Sequence, residues 1–158
     1  MDSAPPLTGR YATDTVTQIE TNLDDLSPEI VGATLDKLLA AGALDAFFTP
    51  VQMKKNRPGI LLTVLCEPAA VECMADVIFR ETTSFGLRLS EKRRLKLERQ
   101  FVTVPTVYGE IQVKQGFDTQ GSPMQAAPEY ESCRAAAERA GVALREVYAA
   151  AIQALAAY

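Results

Sequence analysis

The sequence predicts an α+β fold: a ferredoxin-like βαββαβ antiparallel sheet, an extended β-hairpin and a C-terminal helical pair. Three observations predict it. Thr17, Ile19, Thr21 and Leu23 alternate with polar residues, the period of a half-buried strand. Ser27-Pro28 then opens an apolar-striped segment that stops at Gly42. A nearly continuous apolar run, Ile60 to Leu65, is followed by a second striped segment.

In chain order, residues 1–13 read as a disordered tail, because Ala4-Pro5-Pro6 and Gly9 offer little to bury. Residues 15–23 are the first strand. The first helix carries Val31, Leu35, Leu38 and Leu39 as its stripe. Residues 44–53 form the second strand, with Phe47, Thr49, Val51 and Met53 on one face. Residues 54–58 connect it to a central strand over 59–66. Pro68 starts the second helix, with Val71, Met74, Ala75 and Ile78 inward. From Leu87 to Val104 the alternation slips register, which predicts a bend around residues 99–101. Tyr108-Gly109 turns the chain, and Ile111 and Val113 return as a partner strand. Residues 116–127 read as loop. Helices follow over about 128–140 and 143–157, parted by Gly141. The domains expected are a ferredoxin-like unit over 14–105 and an appendage over 106–158.

Composition narrows the function. The net charge is −4, and the chain contains no histidine. That removes histidine bases, catalytic triads and most transition-metal sites. The charges are polarised. Residues 11–50 hold Asp14, Glu20, Asp24, Asp25, Glu29, Asp36 and Asp45 against one base, Lys37. Residues 88–115 hold Arg88, Lys92, Arg93, Arg94, Lys96, Arg99 and Lys114 against three acids. Cys66, Cys73 and Cys133 are isolated, and Cys66 and Cys73 read as buried thiols. No apolar run approaches membrane-spanning length and no leader opens the chain, so cytoplasmic residence, with no membrane partner, is the expectation. The acidic balance and the lack of stacked strand aromatics argue against nucleic acid as a partner.

Two segments concentrate chemistry. Glu20-Thr-Asn-Leu-Asp24-Asp25-Leu-Ser-Pro-Glu29 places four carboxylates and Asn22 where a strand passes into a helix. Asp24, Asp25 and Glu29 suit a helix start, where anions gain roughly 0.3–1 kcal/mol each. Glu20 and Asn22 sit on the strand face away from Ile19 and Leu23, which helix-start chemistry does not explain. A hard-cation site for Mg²⁺ or Mn²⁺ and plain helix-start chemistry both remain open on residue types. Lys54-Lys55-Asn56-Arg57-Pro58-Gly59 is the second segment. Such a loop reads as ordinary surface, or as a grip on a di- or triphosphate, with Arg57 bidentate and the lysines as point charges. Glu81-Thr82-Thr83-Ser84-Phe85-Gly86 leads to Arg88; it reads as a helix exit, and Thr82, Thr83 and Arg88 could line a phosphate or ribose.

Together with Ala41–Asp45 and Pro128-Glu129-Tyr130-Glu131, these segments resemble one family, the LarC-type nickel-insertion proteins of nickel-pincer nucleotide cofactor synthesis. The likeness runs from about Thr15 to the C-terminus. It implies a C-terminal, CTP-binding domain of a CTP-dependent nickel chelatase, a nickel-insertion lyase. Such proteins metallate pyridinium-3,5-bisthiocarboxylic acid mononucleotide and split CTP to CMP and pyrophosphate with a divalent cation present. The product serves lactate racemase and related enzymes. On this resemblance Glu20, Asp24, Asp25 and Glu29 hold Mg²⁺ or Mn²⁺. Asn22, Lys54, Lys55, Asn56, Arg57, Thr82, Thr83 and Arg88 bind the nucleotide. Lys54, Lys55 and Arg57 also stabilise charge in the reaction. Nickel is the substrate of the full-length protein. The implied partners are an N-terminal nickel-binding domain and further copies in a homo-oligomer, with a hexamer as the size considered. The family's histidine-rich N-terminal region has no counterpart in this sequence, so this domain alone is expected to lack the nickel site. A non-catalytic ferredoxin-like module, for oligomerisation or small-ligand sensing, is the competing expectation.

Overall fold

A computed structural model of the chain describes residues 9–156. The expected tail therefore lies mostly outside the described residues. The chain divides into two compact units, one of Thr13–Arg94 and one of residues 95–156 with residues 9–12. The strand over Glu98–Thr106 groups with the second unit, whereas the sequence boundary at 105 placed it with the first.

The first unit has the order β1 (Ala12–Leu23), α1 (Pro28–Ala40), β2 (Asp45–Met53), β3 (Arg57–Cys66), α2 (Val71–Glu81) and β4 (Arg88–Lys96). Its sheet runs β2-β3-β1-β4, and β3 is antiparallel to both its neighbours. This is the expected ferredoxin-like topology. Alternation puts Ile19, Leu23, Leu62, Val64 and Cys66 on one face, where Leu38 of α1 and Met74 and Ile78 of α2 complete the core. Ser27 caps α1 by accepting a hydrogen bond from the Ile30 N–H at 3.5 Å. Thr34, not Leu39, joins Val31 and Leu38 on its buried face; the Thr34 hydroxyl donates to the Ile30 carbonyl. Cys66 is buried, but Cys73 lies on the exposed side of α2, contrary to expectation.

The second unit contains β5 (Glu98–Thr106), β6 (Gly109–Phe117), β7 (Pro123–Pro128), α3 (Tyr130–Ala140) and α4 (Leu144–Ala156). β6 is central and antiparallel to β5 and β7. Val104, Ile111 and Val113 pack with Cys133, Ala136 and Ala137 of α3 and Val147 and Ala151 of α4. The hairpin closes at Thr106↔Gly109, where Gly109 takes φ 104, a conformation that favours glycine. Residues 9–12 are tied to this unit. Thr119 bonds the Gly9 and Arg10 carbonyls, and Arg10 reaches Asp118.

Three further sequence expectations need correction. The long strand breaks at Leu97, not at 99–101, because β4 and β5 belong to different sheets. Residues 123–128 are a strand rather than loop, since β6 offers them an open edge. Arg57 and Pro58 belong to β3, leaving only Lys54–Asn56 as the connector.

Candidate functional site

The β1–β3 register builds the site. Leu23, the last residue of β1, pairs with Ile60. Chain leaving β1 as Asp24-Asp25 therefore runs alongside the start of β3, where Arg57 stands. Gly59 permits the approach: a Cβ there would lie 2.8 Å from the Leu23 carbonyl oxygen and 2.6 Å from the Met53 sulfur. The result is a direct contact, Arg57 Nη1 donating to Asp24 Oδ2 at 3.1 Å. The acidic and basic segments, 33 residues apart, thus meet in one unit.

The loop after α2 supplies a third wall. The Thr83 hydroxyl donates to Asp25 Oδ1. Ser84 fixes this loop: its hydroxyl shares a 2.7 Å hydrogen bond with that of Thr21 on β1 and donates to the Gly86 carbonyl at 2.9 Å. Thr21 Oγ1 also lies 3.2 Å from the Gly86 carbonyl oxygen. The Thr82 hydroxyl turns back to the Ile78 carbonyl at 2.7 Å and accepts from Ser84 N–H, so it closes the end of α2. Beside this, on the sheet face opposite the core, Glu20 accepts from Gln18 at 2.8 Å and lies 3.8 Å from Arg88. Asn22 is exposed on that same face, paired in register with Leu61.

The β2–β3 turn carries the remaining candidates. Lys54 and Lys55 are exposed, and among the described residues neither is in an ion pair. Lys55 has φ 60 and ψ 27, and Asn56 has φ 56. Asparagine tolerates this left-handed region; lysine there costs about 1 kcal/mol or more. Sequence reasoning missed this strain, and it missed Ser84 as an anchor. Asn56 beside the apolar strands was the available signal for the first; nothing in the sequence marked the second.

Two contacts therefore start from neighbouring residues, Asp24 with Arg57 and Asp25 with Thr83, and the Lys54–Asn56 turn leads into Arg57. Glu20 and Arg88 form a neighbouring pair on the sheet. Glu29 stands in the exposed first turn of α1. Among the described residues, no three acids or cysteines converge as a ready-made metal centre. Magnesium is commonly held by only one or two carboxylates plus phosphate oxygens. The adjacent Asp24 and Asp25 fit that pattern, while the cysteines do not enter it. Cys66 and Cys133 are buried, and burial pushes both thiols up from their ordinary value. A cleft of about 500 Å³ opens elsewhere on this unit, between Thr17, Val71, Glu72, Leu89 and Glu91; no candidate residue lines it.

The family described as nickel insertion protein matches residues 7–148. A putative nickel insertion protein from Myxococcus xanthus is 49% identical over 137 residues, 87% of this chain and 35% of that protein. A pyridinium-3,5-bisthiocarboxylic acid mononucleotide nickel insertion protein from Acetivibrio thermocellus is 43% identical over 135 residues, 85% of this chain and 33% of that one. The chain thus spans about a third of the length of the curated relatives it matches. Among solved structures, it is similar to LarC2, the C-terminal domain of a cyclometallase involved in the synthesis of the NPN cofactor of lactate racemase, in its apo form. The TM-score is 0.85 and the identity 41%, covering 91% of this chain and 99% of the other.

Proposed function

Since this chain belongs to the nickel insertion protein family, we propose that it is the CTP-binding C-terminal domain of a CTP-dependent nickel chelatase. The full protein would load nickel into pyridinium-3,5-bisthiocarboxylic acid mononucleotide and split CTP to CMP and pyrophosphate. The observation that carries the nucleotide assignment is the Asp24–Arg57 contact, which sets a carboxylate pair against a cationic turn.

Asp24 and Asp25 would hold Mg²⁺ or Mn²⁺, with Glu20 and Glu29 as the further acids nearest in sequence. When bound, that cation supplies charge neutralisation for the phosphates. Arg57 presents a planar fork to phosphate oxygens, and Lys54 and Lys55 add point charges. These cations stabilise the negative charge that grows on the leaving pyrophosphate as the α–β bond breaks. Thr83, already donating to Asp25, orients that carboxylate. Asn22, Asn56, Thr82 and Arg88 are the remaining nucleotide contacts. Nickel is cargo in this scheme. Its ligands come from the partner N-terminal domain and the substrate's sulfurs, because this chain has no imidazole to offer.

Calorimetric titration with CTP and Mn²⁺ tests the reading. Wild type binds, and both Asp25→Ala and Arg57→Ala weaken binding tenfold or more. Heatless titrations at millimolar nucleotide would overturn it.

The second reading, a non-catalytic oligomerisation module, is favoured by β2. It is an edge strand carrying Phe47 and Phe48 at 43% and 44% exposure. Light scattering on Asp25→Ala and Lys55→Ala separates the two. That module is the better account where mass changes and nucleotide affinity does not.

A further inference from the structure

We propose that the β2–β3 turn grips phosphate through its backbone, with the side chains of Lys54 and Lys55 in a supporting role. This deepens the nucleotide reading above and rests on it.

Three observations lead there. Lys54 keeps a negative φ, while Lys55 and Asn56 follow at φ 60 and 56. A residue of negative φ followed by one of positive φ turns successive backbone N–H groups toward one side. That arrangement is an anion-binding concavity. Second, the strained residue is a lysine. Glycine would hold this turn without steric penalty, and asparagine nearly so. A cation kept at a position that disfavours it is a sign that charge is wanted at that place. Third, the turn is not adrift. The Met53↔Arg57 pair closes it from below, and Arg57 is anchored to Asp24. The close approach at Gly59 then seats the whole hairpin end against Leu23. The amides of Lys54 and Lys55 are thereby held on the turn that leads into Arg57, whose side chain reaches Asp24.

The ligand class follows from the geometry. A tetrahedral oxyanion with several oxygens suits a backbone concavity flanked by ammonium groups. A terminal phosphate of a polyphosphate chain also keeps its inner oxygens free for a cation at Asp24 and Asp25. The turn therefore takes the β- or γ-phosphate end and leaves the nucleoside to be held elsewhere. Inorganic pyrophosphate, which lacks a nucleoside, should occupy the same place.

Substitution at one position separates backbone from side chain. Lys55→Gly and Lys55→Val both remove the ammonium, but only glycine keeps the left-handed turn. Pyrophosphate affinity with Mn²⁺ falls by no more than about fivefold in Lys55→Gly, the scale of one exposed charge. It falls tenfold or more beyond that in Lys55→Val, whose thermal melt reports whether the unit remains folded. In wild type, nitrogen-15 NMR with Mg²⁺ shows the Lys54 and Lys55 amide protons moving downfield on adding pyrophosphate or CTP. If the glycine and valine variants lose affinity equally, the backbone grip is wrong and the side chains do the holding. If CTP binds while those amide signals stay still, this inference falls and the nucleotide reading stands. If neither CTP nor pyrophosphate binds wild type, both fall together.

Discussion

The two units bury cores of similar extent and use their charges differently. In Thr13–Arg94, charged and hydroxyl groups meet across separate elements: Arg57 with Asp24, Thr83 with Asp25, Arg88 with Glu20, Lys37 with Glu81. In the second unit more of the pairing is local: Arg134 pairs with Glu131 and Glu138 on its own helix, and Asp118 closes its own loop by accepting from the N–H groups of Gln120 and Ser122, while Arg10–Asp118 and Lys114–Glu129 join separate segments. Local pairs of this kind finish an element and add roughly 0.2–0.5 kcal/mol each on a helix. Pairs between elements, partly exposed, add little stability as well. They do bring together groups from distant parts of the sequence. Under the proposed reading, the nucleotide chemistry belongs to the first unit, where all the candidate residues lie.

The largest effect that could break this comparison is a core deletion in each unit. Ile19→Ala and Ile111→Ala remove fully buried side chains and should each cost about 2–5 kcal/mol. Chemical denaturation followed with CTP titration is the measurement. Ile111→Ala should lower stability and leave CTP affinity near wild type wherever the protein remains folded. A CTP affinity that tracks the second core would end the division of labour.

Gly59→Ala comes next, at roughly 1–3 kcal/mol, because the added methyl meets the Leu23 carbonyl and the Met53 sulfur. Unlike Ile111→Ala, it should also separate Arg57 from Asp24 and weaken CTP binding by calorimetry. Lys55→Gly is smaller and of opposite sign. Relief of the left-handed strain should stabilise the first unit by up to about 1 kcal/mol in a thermal melt, while affinity drops.

The last effect belongs to the second unit and is read from the acid end of its pH dependence. Hydrogen bonds from the Ser122 and Gln120 N–H groups and from Arg10 hold the buried Asp118 carboxyl below the usual carboxylate range. A lowered folded pKa means stability that is present above the unfolded value of about 3.9 and lost as pH falls through the folded one. Asp118→Asn should flatten that acid limb in a pH series of melts and leave nucleotide affinity at neutral pH untouched.

Much of the first unit was legible in the sequence because its elements carry their own signals. The alternation of Ile19, Thr21 and Leu23, the Ser27-Pro28 cap and the Ile60–Leu65 run are local facts. β7 was hidden because Pro123-Met-Gln-Ala-Ala-Pro128 has prolines at both ends and no alternation; its strand character comes from pairing with β6. The change of parity between Leu97 and Val102 was visible. Its cause, passage of the chain from one sheet to another, was not. For the site, residue types in the two charged segments were readable. Their meeting depended on the Leu23↔Ile60 register, which no single segment encodes. Likewise, the fixing of the Thr83 loop rests on a Thr21–Ser84 bond spanning 63 positions.

The Asp24–Arg57 pair has one more consequence. Without ligand, the guanidinium already neutralises a carboxylate. Under the proposed reading, arrival of a cation–triphosphate trades this pair for two others, carboxylate to cation and guanidinium to phosphate. The incoming complex carries both signs, so few free counterions are displaced from the protein. Affinity for the metal–nucleotide complex should then change only gently with added salt, whereas bare CTP, which must compete with Asp24 for Arg57, should be sharply salt-sensitive.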